Sequence, residues 1–440
     1  MRIGKVSAIL VVLMFAATSA MAGGFRLPEA GAKAMGMGFA FTAQADDPSA
    51  IYFNPAGIIQ LEGQNLKFGV TYIKENGGTF TGTTPITVST SVTETQKDLD
   101  FFVPNLFWTR QASPDFAYGV GIFAPFGLGQ EYENRAASIF RSQITKIDLM
   151  TLVVNPTVAW RVNEVFTLGV GIDFMYGKAT LEKAGVLNAG VGPLNIFQLD
   201  LDGDGTAWGY NFGALIEPTK SVQIGIAYRS PFRLKIKDGD VDLFNISTVP
   251  LPPLGGLSPA QIFGGTTYST KGSTTINMPA TLDLGVAYTL DRLTLEVDAS
   301  WTFWSSYKEL NIDIENNTPL LPDSRSAKNW KDVVGIYVGG EYRVTDPLAL
   351  RLGFRYDPTP VPAETMGPEL PDADKLYYCA GLGYKLSNWT FDLAYMYVDK
   401  QDRTVDNQLD LPPGGPYGTG FNGTWTGDAH LVALDIGYKF

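Results

Sequence analysis

His430 is the only histidine in the chain and Cys379 the only cysteine, and together they close off most side-chain chemistry. A lone His leaves no room for a histidine-metal cluster, and no Ser or acid partner lies near it in sequence to complete a nucleophilic triad. A lone Cys forms no disulfide within the chain and excludes a zinc-thiolate site. "DLDGDG", Asp200 to Gly205, resembles the start of a calcium loop. Its twelfth position is Asn211, where such a loop uses Glu, and no helices flank it, so it reads as an acidic loop end with calcium at Asp200–Asp204 left open. No catalytic residue, metal site or cofactor is expected.

The remaining charged candidates depend on the elements that carry them. In "LTLEVDASWTF", residues 293–303, Leu293, Leu295, Val297, Ala299, Trp301 and Phe303 share one parity. Glu296 and Asp298 lie on the other. Successive strand residues point to opposite faces, so one face is apolar and the other carries carboxylates. "LALRLGFRYD", residues 348–357, repeats the pattern with Arg351 and Arg355. With Asp392 these residues would form a charged network on the polar face. The same parity rule places His430 on the outer face near the upper rim, as an interfacial polar residue.

About fourteen such segments follow one another, beginning near residues 64, 99, 115, 147, 165, 204, 221, 273, 292, 332, 348, 375, 388 and 424. Many exceed the roughly 9–11 residues with which a tilted strand crosses a bilayer. Short turns near 111–114, 162–164, 217–220, 290–292, 345–347 and 387–388 alternate with long connections near 76–97, 127–144, 182–203, 239–271, 314–330, 358–373 and 401–422. A soluble sandwich would also alternate along each strand, but it has no reason to place every long loop at one end. The pattern is that of an all-β, transmembrane antiparallel β-barrel. The terminal "HLVALDIGYKF" ends on an aromatic residue, resembling the signal that outer-membrane proteins present to the barrel assembly machinery.

Composition agrees. Charged residues make up 18% and aromatics 12%, glycine occurs 48 times, and the net charge is −12. Scarce charge without a long apolar helix suits one lipid-facing and one polar face, and the acidic balance argues against nucleic-acid partners. Arg2 and Lys5 precede an apolar run, and Ala20-Met21-Ala22 offers a small-residue cleavage site, so residues 1–22 read as a secretory signal peptide. Residues 23–62 would form an N-terminal plug and 63–440 the barrel. In "DDPSAIYFNPAGI" the Asn54-Pro55 turn is framed by residues too apolar for a solvated linker. "FNISTVPLPPLGGLSPAQIFGG" and "AGVLNAGVGPLNIF", in the connections 239–271 and 182–203, are also unusually apolar, as binding surfaces are.

On "GGFRL", "DDPSAIYFNPA", "APFG", "WGYNFGALIEP", "YRSPFRLKIKDG" and "DPTPVPAETMGPELPDADKLYYCAGLGY", the chain resembles the FadL-type family of outer-membrane long-chain fatty-acid and hydrocarbon transporters. The resemblance implies a fourteen-stranded barrel plugged by an N-terminal hatch, and places "NPAG" inside it. It implies ligand contacts at Phe25 and at Lys183, the latter where the family has a carboxylate-contacting arginine. Ala124 and Asn311 stand where the family has a serine and a lysine, with Lys308 as a substitute. It further implies a kink at "APFG", so that Asn54, Pro55 and Ala56 back a lateral gate formed by Pro125, Phe126 and Gly127. Pro125 could instead simply end its strand.

The expected function is passive uptake of hydrophobic compounds (fatty acids, alkanes or aromatics) by a monomer in the Gram-negative outer membrane, surrounded by its lipid. A general diffusion porin for polar solutes and an outer-membrane lipid hydrolase are the alternatives. The porin should have polar loops and no plug, and lone His430 disfavours the hydrolase.

Overall fold

Period-two alternation builds a closed wall. In the computed structural model, which describes residues 23–87, 90–188, 193–407, 409 and 420–440, fourteen antiparallel strands form it. They are β1 (Gln64–Asn76), β2 (Leu99–Ser113), β3 in two pieces (Phe116–Phe123 and Gly127–Glu131), β4 (Lys146–Arg161), β5 (Phe166–Asn188) and β6 (Pro193–Thr219). Then come β7 (Val222–Arg229 and Phe232–Phe244), β8 (Tyr268–Met278 and Thr281–Leu290), β9 (Leu293–Thr302 and Glu309–Ile314) and β10 (Ser324–Ala327 and Val333–Arg343). The last are β11 (Leu348–Asp357), β12 (Lys375–Leu386), β13 (Trp389–Val405) and β14 (Asn422–Lys439). β14 returns to β1, with Phe68 opposite Ile436, so the main ladder closes without a lipid-exposed edge. Residues 1–22, read as the leader, lie outside the described residues.

The faces are inverted relative to a soluble protein. Leu352, 71% exposed, and Trp208, 67% exposed, lie on the outside, whereas Asp298 is 1% exposed on the inside. An apolar exterior with a polar interior is what a bilayer selects. Among the described residues no helix is long and apolar enough to cross a membrane, so the strands do the spanning.

The upper connections are more ordered than their composition implies. The expected loop 182–203 is mostly a hairpin: β5 and β6 stay paired from Lys183 opposite Leu199 to Asn188 opposite Pro193. Both flanks alternate well enough to extend the ladder. This corrects the reading of Asp200–Asp204, which lie within β6 rather than in a loop. Arg135 pairs with Asp200, and Lys178 lies 3.0 Å from Asp202. Extended backbone places Asp200, Asp202 and Asp204 along one face about 6.6 Å apart and does not curl round a cation as a calcium loop does. In the connection 239–271, β7 runs on to Phe244, and a short helix Pro259–Phe263 follows. Ser258 and Gln261 cap that helix reciprocally, with Pro259 at its first turn. Phe263, Leu251 and Ile246 pack with Ile196, Phe197 and Ile314 into a separate apolar core above the wall.

The connections at 114–115, 162–165, 220–221, 291–292, 344–347 and 387–388 are all short and lie at one end. A surface tag at Gly255, an open left-handed turn, should be reached on intact cells. One at Asp291 in a short turn should be reached only after the outer membrane is opened, and the reverse pattern would contradict the topology.

Candidate functional site

Residues of the N-terminal segment are almost all buried, and wall strands from every side hold them. A helical turn at Ala32–Gly36 packs on β11 to β14, while a tight turn at Pro55–Gln60 packs on β3 to β6. Such short turns leave many backbone N–H groups unsatisfied, and wall carboxylates accept them. Asp298 Oδ2 accepts from Phe41 and Thr42 at 3.0 and 2.9 Å, and Glu296 accepts from Ala43 and Gln44 at 2.6 and 2.9 Å. Asp435 accepts from Ala32 at 2.7 Å. Charge-assisted bonds of this kind are the strong ones. Glu296 and Asp298, expected in a charged network, are thus a clamp on the inner segment. Arg351, with Glu341 and Asp392 each at 2.7 Å, forms the ion network proper, and Arg355 pairs with Asp357 between the Phe39, Tyr337 and Tyr377 rings.

Asn54, wholly buried, donates to the carbonyls of Thr42 and Ala214 at 2.8 and 3.1 Å and accepts from Ala56 N–H at 3.2 Å. Pro55 then starts the tight turn. This corner fits because β5 and β6 present Gly169 and Gly213, where any Cβ would collide with Pro55, Ala56 or Asn54. Asn54, Pro55 and Ala56 therefore sit against β5 and β6. Pro55 also lines one small cavity with Pro125 and Phe126, but among the described residues no hydrogen bond joins the turn to the "APFG" segment.

What backs it is the stretch Phe25–Leu27. Leu27 N–H donates to the Pro125 carbonyl at 2.8 Å and Gly127 N–H to the Phe25 carbonyl at 3.0 Å, with Arg26 opposite Phe126. Pro125 has no donor for the ladder, and Phe126 N–H turns to Thr151 Oγ1 at 3.1 Å. The β2–β3 pairing stops at Leu106 opposite Ile122, and the next bond is Lys97 N–H to the Glu131 carbonyl at 2.9 Å. Between those points no ladder bond joins the two strands among the described residues. Phe101 fills the gap against Gly129. Pro125 marks a break within the strand rather than its end.

Two cavities lead toward this break, an outer one of mixed lining that includes Arg325, Asp323 and Glu369 and an inner one that is mainly apolar. The outer, about 720 Å³, is a groove between the β5–β6 hairpin and the upper part of β9, lined by Lys183, Phe197, Leu199, Leu320 and Leu321 among others. The inner, about 100 Å³, is lined by Phe25, Leu128, Leu149, Leu181 and Ile276 among others. Leu201 and Ile312 belong to both. Phe25 is held edge-on by Trp304 at 4.7 Å and Tyr307 at 5.6 Å, and lies 5.6 Å from Trp330. Lys183 faces the outer groove and has no carboxylate in ion-pair reach among the described residues. It shares no cavity with Phe25, and Lys308 is exposed and lines neither. Trp304 and Trp330 were not singled out from the sequence; the aromatic density of "WTFWSSY", residues 301–307, is a signal that could have found Trp304, and none marks Trp330. The floor toward the short turns is different in kind: a polar vestibule of about 440 Å³ lined by Lys33, Asp46, Lys67, Glu341, Arg351 and Asp392 among others.

Glu29 of the inner segment is buried with Oε2 unpartnered. Burial pushes its carboxyl up to about 7, with Arg355 opposing. Below the ordinary carboxylate range the group is protonated whether docked or not and costs nothing. Above about 7 the docked form must bury a charge. Glu29→Gln should therefore stabilise the protein by about 2–3 kcal/mol at pH 8 and by almost nothing at pH 4. Thermal unfolding in detergent at both pH values checks this, and an equal gain at both would contradict it. His430 lies on the outer face, Nδ1 2.8 Å from Tyr395 Oη and Nε2 3.6 Å from Asp428. Asp428, only two residues before His430, is an acid partner that the sequence reading passed over, and among the described residues the other ring nitrogen meets a tyrosine rather than a Ser or Cys nucleophile.

A family model described as outer membrane protein transport protein (OMPP1/FadL/TodX) matches residues 13–440. The chain is similar to the long-chain fatty acid transport protein of Escherichia coli O6:H1, 28% identical over 425 residues, covering 90% of this chain and 91% of the relative. It is similar to outer membrane protein P1 of Haemophilus influenzae, 26% identical with 99% of each chain covered. Among solved structures, a Pseudomonas aeruginosa FadL homologue superposes with a TM-score of 0.79 at 23% identity, covering 95% of this chain and 100% of that one. The Ralstonia pickettii toluene transporter TbuX gives 0.66 at 19%, covering 93% and 98%. At these identities the structural likenesses show the fold.

Proposed function

The chain belongs to the OMPP1/FadL/TodX family of outer-membrane transport proteins and lies in the Gram-negative outer membrane, and we propose a lateral route by which it carries hydrophobic small molecules inward. A ligand is captured by the outer groove, passes Leu201 and Ile312 into the inner cavity, and stops at Phe25. Movement of Phe25–Leu27, the leading end of a hatch formed by residues 23–62, then opens the gap in β3 to the bilayer. No cofactor, chemistry or energy input is involved, and a monomer suffices.

The observation that carries this reading is the shared lining of the two cavities, which runs an apolar path to the backbone bonded across the break. Returning a buried CH₂ to water costs about 0.8 kcal/mol. A long tail therefore avoids the charged vestibule below and gains by leaving sideways. Mass spectrometry of molecules retained through mild purification should find hydrocarbon-rich ligands. Recovery of polar solutes alone would contradict the reading.

The relatives named for fatty acids and for toluene leave two chemistries for this chain, and Lys183 separates them. An ammonium with no carboxylate in ion-pair reach among the described residues, on the wall of a groove that also presents Phe197, Leu199, Leu320 and Leu321, suits the head of an amphipathic anion. Lys183→Ala should weaken binding of a long-chain fatty acid by about 1.5–3 kcal/mol and leave a neutral hydrocarbon unchanged. Equal loss for both ligands, measured by calorimetry, would reduce Lys183 to a structural residue.

A further inference from the structure

We propose that the wall contains a built seat for the α-ammonium released when the leader is removed, and that filling it completes the docking of the inner segment. The sequence places cleavage between Ala22 and Gly23. Before cleavage the nitrogen of residue 23 is a neutral amide. Afterwards it is a cation with three donors.

The surroundings fit the cation. A side-chain carbon built on Gly23 would lie 3.4 Å from the Pro358 carbonyl oxygen and 3.8 Å from Asp357 Cβ. The next residue, Gly24, donates its N–H to Asp372 Oδ2 at 3.1 Å. Asp357 and Asp372 are 5% and 0% exposed. Asp357 is paired with Arg355, and Asp372 with Lys375 and Thr359. The chain start therefore lies beside the Pro358 carbonyl and the buried Asp357, one residue before the N–H that Asp372 accepts, and carboxylates and carbonyls are the acceptors that capture a terminal amine. It is also fixed in length. Gly24 has φ +68°, and a Cβ there would meet Trp304 at 2.6 Å and Trp330 at 2.7 Å, so the first two residues pass through a slot that admits only glycine at its second position. The same two tryptophans hold Phe25. The position of the cut thus sets the position of the residue that closes the inner cavity, and a mature chain one residue too long would leave the ammonium outside its acceptors.

The inference is independent of which ligand is carried. Its test uses the full-length protein in outer-membrane vesicles. Mass spectrometry of the N-terminal peptide should show Gly23 as the first residue, and any other start overturns the proposal. Acetylation of that amine by acetyl N-hydroxysuccinimide at neutral pH should then be about tenfold slower in the folded protein than after denaturation, the factor that about 1.4 kcal/mol of preference for ammonium over free amine supplies. Equal rates would overturn it. Asp357→Asn keeps the Gly24 bond to Asp372 and should remove most of that protection. So should one Ala inserted between Ala22 and Gly23, if the cut still follows Ala22. Protection that survives in both variants would show that occlusion alone shields the amine and would overturn the ion pair.

Discussion

Replacing Glu296 by Gln and Asp298 by Asn in one chain should release the inner segment while leaving the barrel closed. The two carboxylates accept four consecutive backbone N–H groups, from Phe41 to Gln44. Gln at 296 turns an NH₂ group toward one of the two backbone donors that Oε1 and Oε2 now accept, so that bond fails, while Asn at 298 can keep its oxygen where Oδ2 accepts both N–H groups, and those two bonds lose their charge assistance. With about 1.5–3 kcal/mol for the failed bond and about 1 kcal/mol for each of the two weakened from charged to neutral strength, the loss is about 3–5 kcal/mol. That is enough to shift a short segment stabilised largely by such contacts. The wall is insulated from the change, because Glu296 and Asp298 reach β8 and β10 through backbone pairing, opposite Ala287, Gly285, Gly339 and Tyr337. The variant should still migrate as a folded barrel. Added protease should cut between residues 23 and 62, and ion conductance in a planar bilayer should rise, since the interior would stand open. Native protection with unchanged conductance would mean that packing alone holds the segment.

What could be read in advance follows from the range of each interaction. The wall strands were legible because the lipid and the lumen impose opposite polarity on adjacent residues, and "LTLEVDASWTF" states both faces in eleven letters. The break at Pro125 was legible because a missing donor is a local fact. The length of the β5–β6 hairpin was not, since glycine-rich apolar segments such as "AGVLNAGVGPLNIF" pair or coil according to their partner. Asp200–Asp204 were read as a loop end for the same reason. The inner segment was legible as buried, from the apolar frame of Asn54-Pro55, but not in its placement. Gly169 and Gly213 lie more than a hundred residues from the turn they admit. Glu296 and Asp298 could be placed on the inner face, yet nothing in the sequence says that their partners are backbone amides of residues 41–44. Lys183 and Phe25 were placed together by resemblance, and they line successive cavities instead.

The lateral route is tested most directly by locking Phe25–Leu27 to the break. Arg26 and Phe126 face each other as an antiparallel pair, and such pairs place their Cα atoms about 4.5–5.5 Å apart, within the roughly 4.4–6.8 Å that a disulfide spans. Arg26→Cys and Phe126→Cys would be combined with Cys379→Ser, which removes the one native thiol. Uptake of a radiolabelled long-chain fatty acid by cells would be followed before and after oxidation, with the reduced form as the baseline for the loss of Arg26. The account predicts that oxidation abolishes uptake, leaves binding at the outer groove intact, and is reversed by reductant. Undiminished uptake by fully crosslinked protein would contradict it.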